Sequence, residues 1–306
     1  MLASSPSAIA PSIGTLPRPE AARLPWQRLL AILLSLALLV SLGIVLREEG
    51  FSRLRGALPT SPIFWLAFAA YYLALPTSEW VIYRRLWQIP GSAFAALLRK
   101  LVSNEMLLGY SGELSFYLYA RRKGFLAASP FGAIKDVSIM SAMAGNLATL
   151  AMVALAWPIW RHWRPGALPS GSIESFTLLL AACGLLLVLR RRIFSLPSID
   201  LRAIGAVHLS RVSLTTLLLG VLWTAALPSV PVATWIALAA LHLVVTRLPL
   251  VPNKDIVFAG AAMWMVGAQT SIGTLMTLIA SMLVATHLIV GLTILLGDLL
   301  GASDAT

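Results

Sequence analysis

Charged residues and cysteine are scarce in this sequence. Only 11% of its 306 residues are charged, whereas soluble domains carry roughly a quarter. Hydrophobic residues make up 58%, and the mean hydropathy is +0.85. The single cysteine, Cys183, can form no internal disulfide. These scarcities exclude a soluble globular domain and a disulfide-stabilised one, and they predict an all-α polytopic integral membrane protein.

Acidic residues are fewer than basic residues in this chain. The chain has 12 of them against 23 basic residues, which gives a net charge of +11. Such an excess can indicate nucleic-acid binding. Here, however, the basic residues lie in short loops between apolar runs, as the positive-inside rule distributes them in membrane proteins. We therefore expect no nucleic-acid partner.

Several motifs of catalysis and targeting are also missing. The sequence has no His/Cys/Asp/Glu cluster at metal-ligand spacing, no Gly-rich phosphate loop and no Ser-His-Asp arrangement. We expect no metal, no cofactor and no catalytic residue. Residues 1–25 are rich in Ser, Pro and Ala and lack the pattern of a signal peptide. They predict a disordered tail, followed by an integral membrane domain at residues 26–300.

Long apolar runs predict the membrane spans, because a span needs about 20 apolar residues. Seven runs qualify: Leu29–Leu46, Pro62–Tyr83, Lys135–Trp160, Ser175–Leu189, Ile204–Leu227, Val232–Leu248 and Ile272–Leu296. Two further segments, Leu101–Ala120 and Ile256–Gly267, are apolar but interrupted. The sequence thus predicts a helical bundle of about seven spans, within a range of six to eight, and two short re-entrant or broken helices.

The distribution of basic residues indicates how Leu101–Ala120 is arranged. If this segment enters the membrane and returns, 18 of the 23 basic residues share one side and 5 take the other. If it spans, every later loop changes side and the division becomes 14 to 9. The positive-inside bias favours the re-entrant hairpin, with its turn near Gly109–Gly112. With seven spans, the N-terminus is predicted to be cytoplasmic and the C-terminus periplasmic.

Two acids, Glu105 and Glu113, lie within this hairpin. An ionisable residue in the membrane core costs about 2.5–3.5 kcal/mol even on the lenient insertion scale. Non-helical backbone at that depth survives only inside protein or beside a wet cavity. We therefore predict that Glu113 lines a hydrated internal cavity, with Asn104 and Glu105 nearby; a solvated acid at the interface is the alternative for both glutamates.

A third acid, Glu79, follows Pro76 in the second predicted span. Proline removes a backbone donor and bends a helix, so Glu79 can face an interior cavity. Pairing with Arg84 or Arg85 at the interface is the alternative. Two histidines in later spans are predicted to form interhelical hydrogen bonds, with a proton relay as the other interpretation: His242 and His287.

Two stretches resemble motifs of the lysylphosphatidylglycerol synthase transmembrane family, also called flippase-like integral membrane proteins. The first is Gly112-Glu113, then apolar residues, then Arg121-Arg122-Lys123-Gly124. The second is Pro249-Leu250-Val251-Pro252, similar to the family's Pro-x-Pro-Gly-Gly-type loop, although Asn253-Lys254 stand in place of Gly-Gly and Asp255 follows. Too few residues follow the last span for the synthases' soluble aminoacyl-transfer domain, so we expect no lipid aminoacylation.

The resemblance implies a bacterial inner-membrane protein that translocates a lipid or a lipid-linked molecule, with enzymes of lipid or polysaccharide synthesis as possible partners. A membrane enzyme that modifies a lipid or glycan head group, and a non-catalytic partner subunit, are the alternatives. The predicted substrate-binding residues are Glu79, Asn104, Glu105, Glu113, Arg121, Arg122, Lys254 and Asp255.

Overall fold

The computed structural model describes residues 58–107, 111–125, 130–163, 193–248, 251, 253–267 and 270–303. This part of the chain is all-helical, as predicted, and contains no strand. The predicted tail, the predicted spans Leu29–Leu46 and Ser175–Leu189, and Cys183 lie outside the described residues. The helices are α1 (Pro62–Trp87), α2 (Phe94–Met106), α3 (Ser111–Arg122), α4 (Pro130–Trp163), α5 (Ser198–Ala226), α6 (Val232–Thr246), α7 (Lys254–Val266) and α8 (Ser271–Ser303).

Proline and residues with positive φ stand at several of the helix boundaries. Prolines stand at the first position of α1 and α4 and immediately before α5 and α6, where a missing N–H costs no helical hydrogen bond. Helix α1 ends at Gln88 and α7 ends at Gly267, both with positive φ. Such left-handed residues commonly terminate helices because they release the chain from the helical path.

Two apolar clusters mark the two ends of the bundle. One includes Phe64 near the start of α1 and Trp223 near the end of α5. The other includes Tyr83 near the end of α1 and Ile204 near the start of α5. Helices α1 and α5 are therefore antiparallel. We call the Trp223 end the tryptophan end, and the end where Arg85 pairs with Asp200 at 3.3 Å the basic end.

Helices α2 and α3 form a tight hairpin that rises from the basic end. The Ser111 hydroxyl donates to the Ser103 carbonyl at 2.8 Å, and the Gly112 N–H donates to Asn104 Oδ1 at 2.7 Å. A Cβ at Gly112 would lie 2.2 Å from the Lys100 carbonyl. Gly112 was predicted to belong to the turn. It instead lies in the first turn of α3, where only glycine allows the helices to approach so closely.

Helices α6 and α7 form a second hairpin that descends from the tryptophan end. Trp235 near the start of α6 and Ala262 near the end of α7 belong to the same apolar cluster. At the other end of the hairpin, Lys254 Nζ donates to the Thr246 carbonyl at 2.9 Å. The tips of the two hairpins meet, because the Asn253 N–H donates to the Glu105 carbonyl at 2.9 Å. The C-terminal end of α2 thus meets the N-terminal end of α7.

Helix α8 returns from the tryptophan end to the basic end. Its early residues Leu275 and Met276 pack in the cluster that contains Trp223. Further on, Gly291 approaches Val102 of α2, and Thr293 and Gly297 lie beside Ser92 and Arg122 at the basic end. The end of α8 therefore lies at the same end of the bundle as Arg84 and Arg85, whereas the C-terminus was predicted to lie opposite them; the side of a membrane that each terminus faces stays a prediction.

The segment Val232–Leu248 was predicted to be a full span. Its helix has 15 residues, fewer than the roughly 20 that a bilayer requires, and the chain then folds back as α7. Among the helices that the structure describes, three are long and apolar enough to cross a membrane: Phe131–His162, Ser198–Ala226 and Ser271–Ile294. They support a membrane-embedded protein, while the total number of spans remains a prediction.

This arrangement predicts which loops share one side of a membrane. With Cys183 replaced by alanine, single cysteines at Gly124 and Ser303 should react with an impermeant maleimide from the same side. A cysteine at Ser229, in the exposed turn between α5 and α6, should react only from the other side. Labelling of Gly124→Cys and Ser303→Cys from opposite sides would contradict the opposed hairpins.

Candidate functional site

A polar cavity of about 270 Å³ lies where the two hairpin tips meet. Helices α1, α2, α3, α4, α5, α6, α7 and α8 all contribute to its wall. Four carboxylates and three cationic side chains line it, and they are Glu79, Glu105, Glu113, Asp255, Arg211, Arg247 and Lys254. Charged groups are expensive inside a membrane protein unless water or a partner serves them. Their convergence makes this cavity the candidate site.

A buried lysine organises the acidic half of the cavity. Lys100 is only 3% exposed, and its Nζ lies 2.5 Å from Glu79 Oε1 and 3.4 Å from Glu113 Oε1. One ammonium thus joins α1, α2 and α3. The alternative that Glu79 pairs with Arg84 or Arg85 was wrong, because Arg85 pairs with Asp200 and Glu79 turns inward.

Only one of the two carboxylate oxygens of Glu113 has hydrogen-bond partners among the described residues. Its Oε1 accepts a hydrogen bond from Asn104 Nδ2 at 3.4 Å in addition to the contact with Lys100. Its other oxygen, Oε2, is buried and has no hydrogen-bond partner among the described residues. A buried polar atom without a partner is costly. Because Glu113 lines the cavity, Oε2 is an acceptor that a hydroxyl or ammonium group of a ligand could satisfy.

The opposite half of the cavity is cationic. Arg211 Nη2 donates to the Ser141 hydroxyl at 3.3 Å, while Arg211 Nε is buried without a hydrogen-bond partner among the described residues. Neither Arg211 nor Lys254 forms an ion pair with a carboxylate in the described part of the chain. Cationic groups without an ion-pair partner are suited to an anionic ligand such as a phosphate.

Arg247 lies close to the same wall of α4. Its Nε and Nη2 are 3.4 and 3.1 Å from the Thr246 hydroxyl. A Cβ at Gly145 would lie 1.9 Å from Arg247 Nη1, so glycine makes room for the guanidinium. Ser141, which contacts Arg211, is one helical turn before Gly145. A single face of α4 therefore brings both guanidinium groups to the cavity.

Histidine and tyrosine side chains complete the wall. His242 Nε2 lies 3.2 Å from Asp255 Oδ1 and 3.4 Å from the Tyr71 hydroxyl. His287 Nδ1 lies 3.1 Å from the Tyr72 hydroxyl. Both histidines thus link α1 to a later helix, which is the interhelical role that the sequence predicted.

Glu105 joins the two hairpin tips. Its carbonyl accepts from the Asn253 N–H at 2.9 Å, and its carboxylate lines the cavity beside Lys254 and Asp255 at the start of α7. An acid at this position is favourable, because the first N–H groups of a helix lack helical partners and carry partial positive charge. Glu105 therefore also has a structural role at the contact between the two hairpin tips.

Six of the eight predicted substrate-binding residues lie at this one cavity. They are Glu79, Asn104, Glu105, Glu113, Lys254 and Asp255. Arg121 and Arg122 do not belong to it: both are exposed at the basic end, and Arg122 lines a separate groove. The positions of Arg121 and Arg122 therefore do not support a role for them in binding a substrate at this cavity.

Three cations at or beside the cavity were not among the predicted site residues. Lys100, Arg211 and Arg247 were counted only as residues that indicate topology, but Lys100 is buried and the other two line the cavity. Removing these three leaves 15 of the 18 basic residues on the predicted cytoplasmic side. The signal that could have identified Arg211 is its position well inside the predicted span Ile204–Leu227.

An apolar groove of about 610 Å³ adjoins the polar cavity. It lies between α4, α5 and α6 toward the tryptophan end, and its wall includes Leu155, Leu217 and Ile236. Thr216 lines both the groove and the polar cavity. Leu217 is 68% exposed, as expected for a side chain that faces lipid. The polar cavity and the apolar groove therefore meet at the side chain of Thr216.

Comparison of the chain with protein-family models, with curated proteins and with solved structures found no match in any of the three. The resemblance to the flippase-like membrane proteins therefore depends on the two short motifs alone. Of these, Gly112-Glu113 lies at the cavity, and so do Lys254 and Asp255 after the Pro249–Pro252 stretch.

Proposed function

We propose that this protein translocates a lipid or a lipid-linked molecule across a bacterial inner membrane. The observation that carries the proposal is the shared wall at Thr216, which joins a charged cavity to an apolar groove. An amphiphile needs both surroundings at once: the charged cavity suits its head group, and the groove suits its acyl chain. A water-soluble solute would need only the cavity.

The two halves of the cavity indicate a head group with two kinds of polar group. Arg211 and Lys254 favour an anion such as a phosphate, since no carboxylate among the described residues pairs with them. Glu113 Oε2 favours a hydroxyl or ammonium donor. Such a head group would satisfy buried atoms that lack protein partners.

The opposed hairpins support a transport mechanism. Broken helices that meet within the membrane occur in transporters, where their ends bind the polar part of the substrate. Here α2 and α7 each have 13 residues and meet end to end beside the cavity. We further propose that the basic end and the N-terminus face the cytoplasm, and that movement of the hairpins exposes the head group to either side in turn.

Filling the apolar groove tests the proposal. A Cβ at Gly220 would meet no atom within 4 Å, so Gly220→Trp should fold and occupy the groove. We expect it to slow the translocation of fluorescent phospholipids in proteoliposomes by about tenfold, because the loss of acyl-chain burial is worth roughly 0.8 kcal/mol per CH₂. The assay follows the loss of fluorescence after dithionite is added outside.

Two results would contradict the proposal. The first is an equal rate for the parent and Gly220→Trp; the second is no translocation above protein-free vesicles for any lipid tested. Mass spectrometry of the same lipids separates transport from chemistry. A change in lipid mass would support the alternative of an enzyme that modifies the head group.

A further inference from the structure

A second groove lies at the basic end, outside the central cavity. It has a volume of about 630 Å³ and runs between the first hairpin and the end of α8. On α2 and the turn before it, and again on α3, its wall follows the i, i+3, i+4, i+7 spacing of one helix face. The lining residues are Ser92, Ala95, Ala96 and Arg99, then Ser115, Leu118, Tyr119 and Arg122, then Thr293, Ile294 and Gly297.

The charge of this groove differs from that of the central cavity. Two guanidinium groups, Arg99 and Arg122, and four hydroxyl groups line it, with no carboxylate among its described lining residues. Arg122 forms no ion pair within the described residues. Arginine and hydroxyl groups together are the usual donors to phosphate oxygens. The groove is therefore complementary to an anion.

The shape of the groove fits an anion that carries a hydrocarbon chain. Ala95, Ala96 and Gly297 leave space between the helices, and Leu118 and Ile294 provide apolar walls. Leu114, one turn from Leu118 toward the hairpin tip, is 48% exposed and continues the apolar surface of α3. Anionic phospholipids are the anions present at this depth of a membrane, and basic pockets between helices on the cytoplasmic side bind them.

We propose that this groove binds an anionic phospholipid, with the phosphate between Arg99 and Arg122 and an acyl chain along Leu118 and Ile294. The site is separate from the translocation cavity and does not depend on transport. Consecutive residues of α2 face the two sites. Arg99 faces the groove, and the next residue, Lys100, contacts Glu79 and Glu113. A lipid here would therefore hold α2 in the position that keeps Lys100 paired.

Native mass spectrometry of the purified protein tests this site. The protein is titrated with phosphatidylglycerol or phosphatidylcholine, and the number of bound lipids is counted. We expect the parent to retain phosphatidylglycerol in preference, and Arg122→Gln to bind one phosphatidylglycerol about tenfold more weakly, since one charge-assisted contact is lost. Arg202→Gln, an exposed arginine of α5 that does not line the groove, should bind as the parent does.

A second variant blocks the groove without changing charge. A Cβ at Gly297 would meet no atom within 4 Å, and the same holds for Gly260 on α7. Gly297→Leu should fill the groove and lose the same lipid, while Gly260→Leu makes the same helix substitution elsewhere and should keep it. Neither residue lines the central cavity, so a lipid bound there would still be counted in both variants.

The remaining outcomes decide against the proposal. Equal phosphatidylglycerol binding by the parent, Arg122→Gln and Gly297→Leu would show that the groove holds no lipid. Equal retention of phosphatidylcholine would show that the site does not select an anion. If inorganic phosphate at millimolar concentration displaced the lipid and raised the Tm by the same amount, the ligand would be free phosphate.

Discussion

Glu113→Gln is expected to slow lipid translocation by about tenfold to a hundredfold while leaving the fold intact. Oε2 of Glu113 is a buried acceptor at the cavity that has no hydrogen-bond partner among the described residues. Depending on its orientation, the glutamine amide places its N–H₂ group at the position of Oε2 or beside Lys100. In both orientations the charge-assisted hydrogen bond to the head group is lost. Such a bond contributes about 1.5–3 kcal/mol, which corresponds to the expected loss of rate.

The fold should tolerate this change because Lys100 keeps its closer partner, Glu79, at 2.5 Å. We expect a Tm within about 3 °C of the parent. The measurements are the dithionite translocation assay and differential scanning fluorimetry of the purified protein. Asp200→Asn is the matched control: it removes a carboxylate that pairs with Arg85 at the basic end. Parental transport by Glu113→Gln, or failure to fold, would contradict the assignment of Glu113 to the head-group site.

Lys100→Met should cause the largest loss of stability among single changes at the cavity. It leaves Glu79 and Glu113 close together without their shared cation, and Glu79 is only 6% exposed. Removing one partner of a buried ion pair costs about 3–5 kcal/mol, because the other charge remains buried and uncompensated. We expect a fall in Tm of about 6–20 °C, or loss of folded protein from the membrane.

The double variant Lys100→Met/Glu79→Gln separates electrostatics from packing. Because it also removes the closer carboxylate, it should recover part of the lost Tm, as replacing both partners of a buried pair is far less costly than replacing one. Lys123→Met, an exposed lysine at the basic end, should change stability by about 0.5 kcal/mol or less. A parental Tm for Lys100→Met would show that the ion pair does not stabilise the hairpin.

The acids of the site could be found in the sequence, whereas their partners could not. Glu79, Glu105 and Glu113 interrupt apolar runs, where a charge is expensive without a reason, and this alone singled them out. Lys100 and Arg247 stand near the ends of apolar runs, where a basic residue has an ordinary explanation in topology. Only the packing of α2 against α1 and α3 shows that Lys100 points inward.

The second hairpin was predicted only in part: Ile256–Gly267 was expected to be re-entrant or broken, whereas Val232–Leu248 was expected to span. The segment Val232–Leu248 is uniformly apolar, and nothing in its composition distinguishes half of a hairpin from a short span. Its length of about 17 residues and the prolines at Pro249 and Pro252 were the available signals. The first hairpin was easier to predict because the charge distribution tests it directly, and α2 and α3 do pack together as that prediction requires.

The bond between the hairpin tips has a consequence for how the protein is made. The carbonyl of Glu105 receives its N–H partner from Asn253, which leaves the ribosome almost 150 residues later. In lipid, backbone groups at the end of α2 would have no other donor. The first hairpin can therefore complete its hydrogen bonds only after the second is synthesised, so its final insertion is a late step of biogenesis, and a nascent chain that stops before residue 253 presents an incomplete tip to the membrane-protein quality-control machinery.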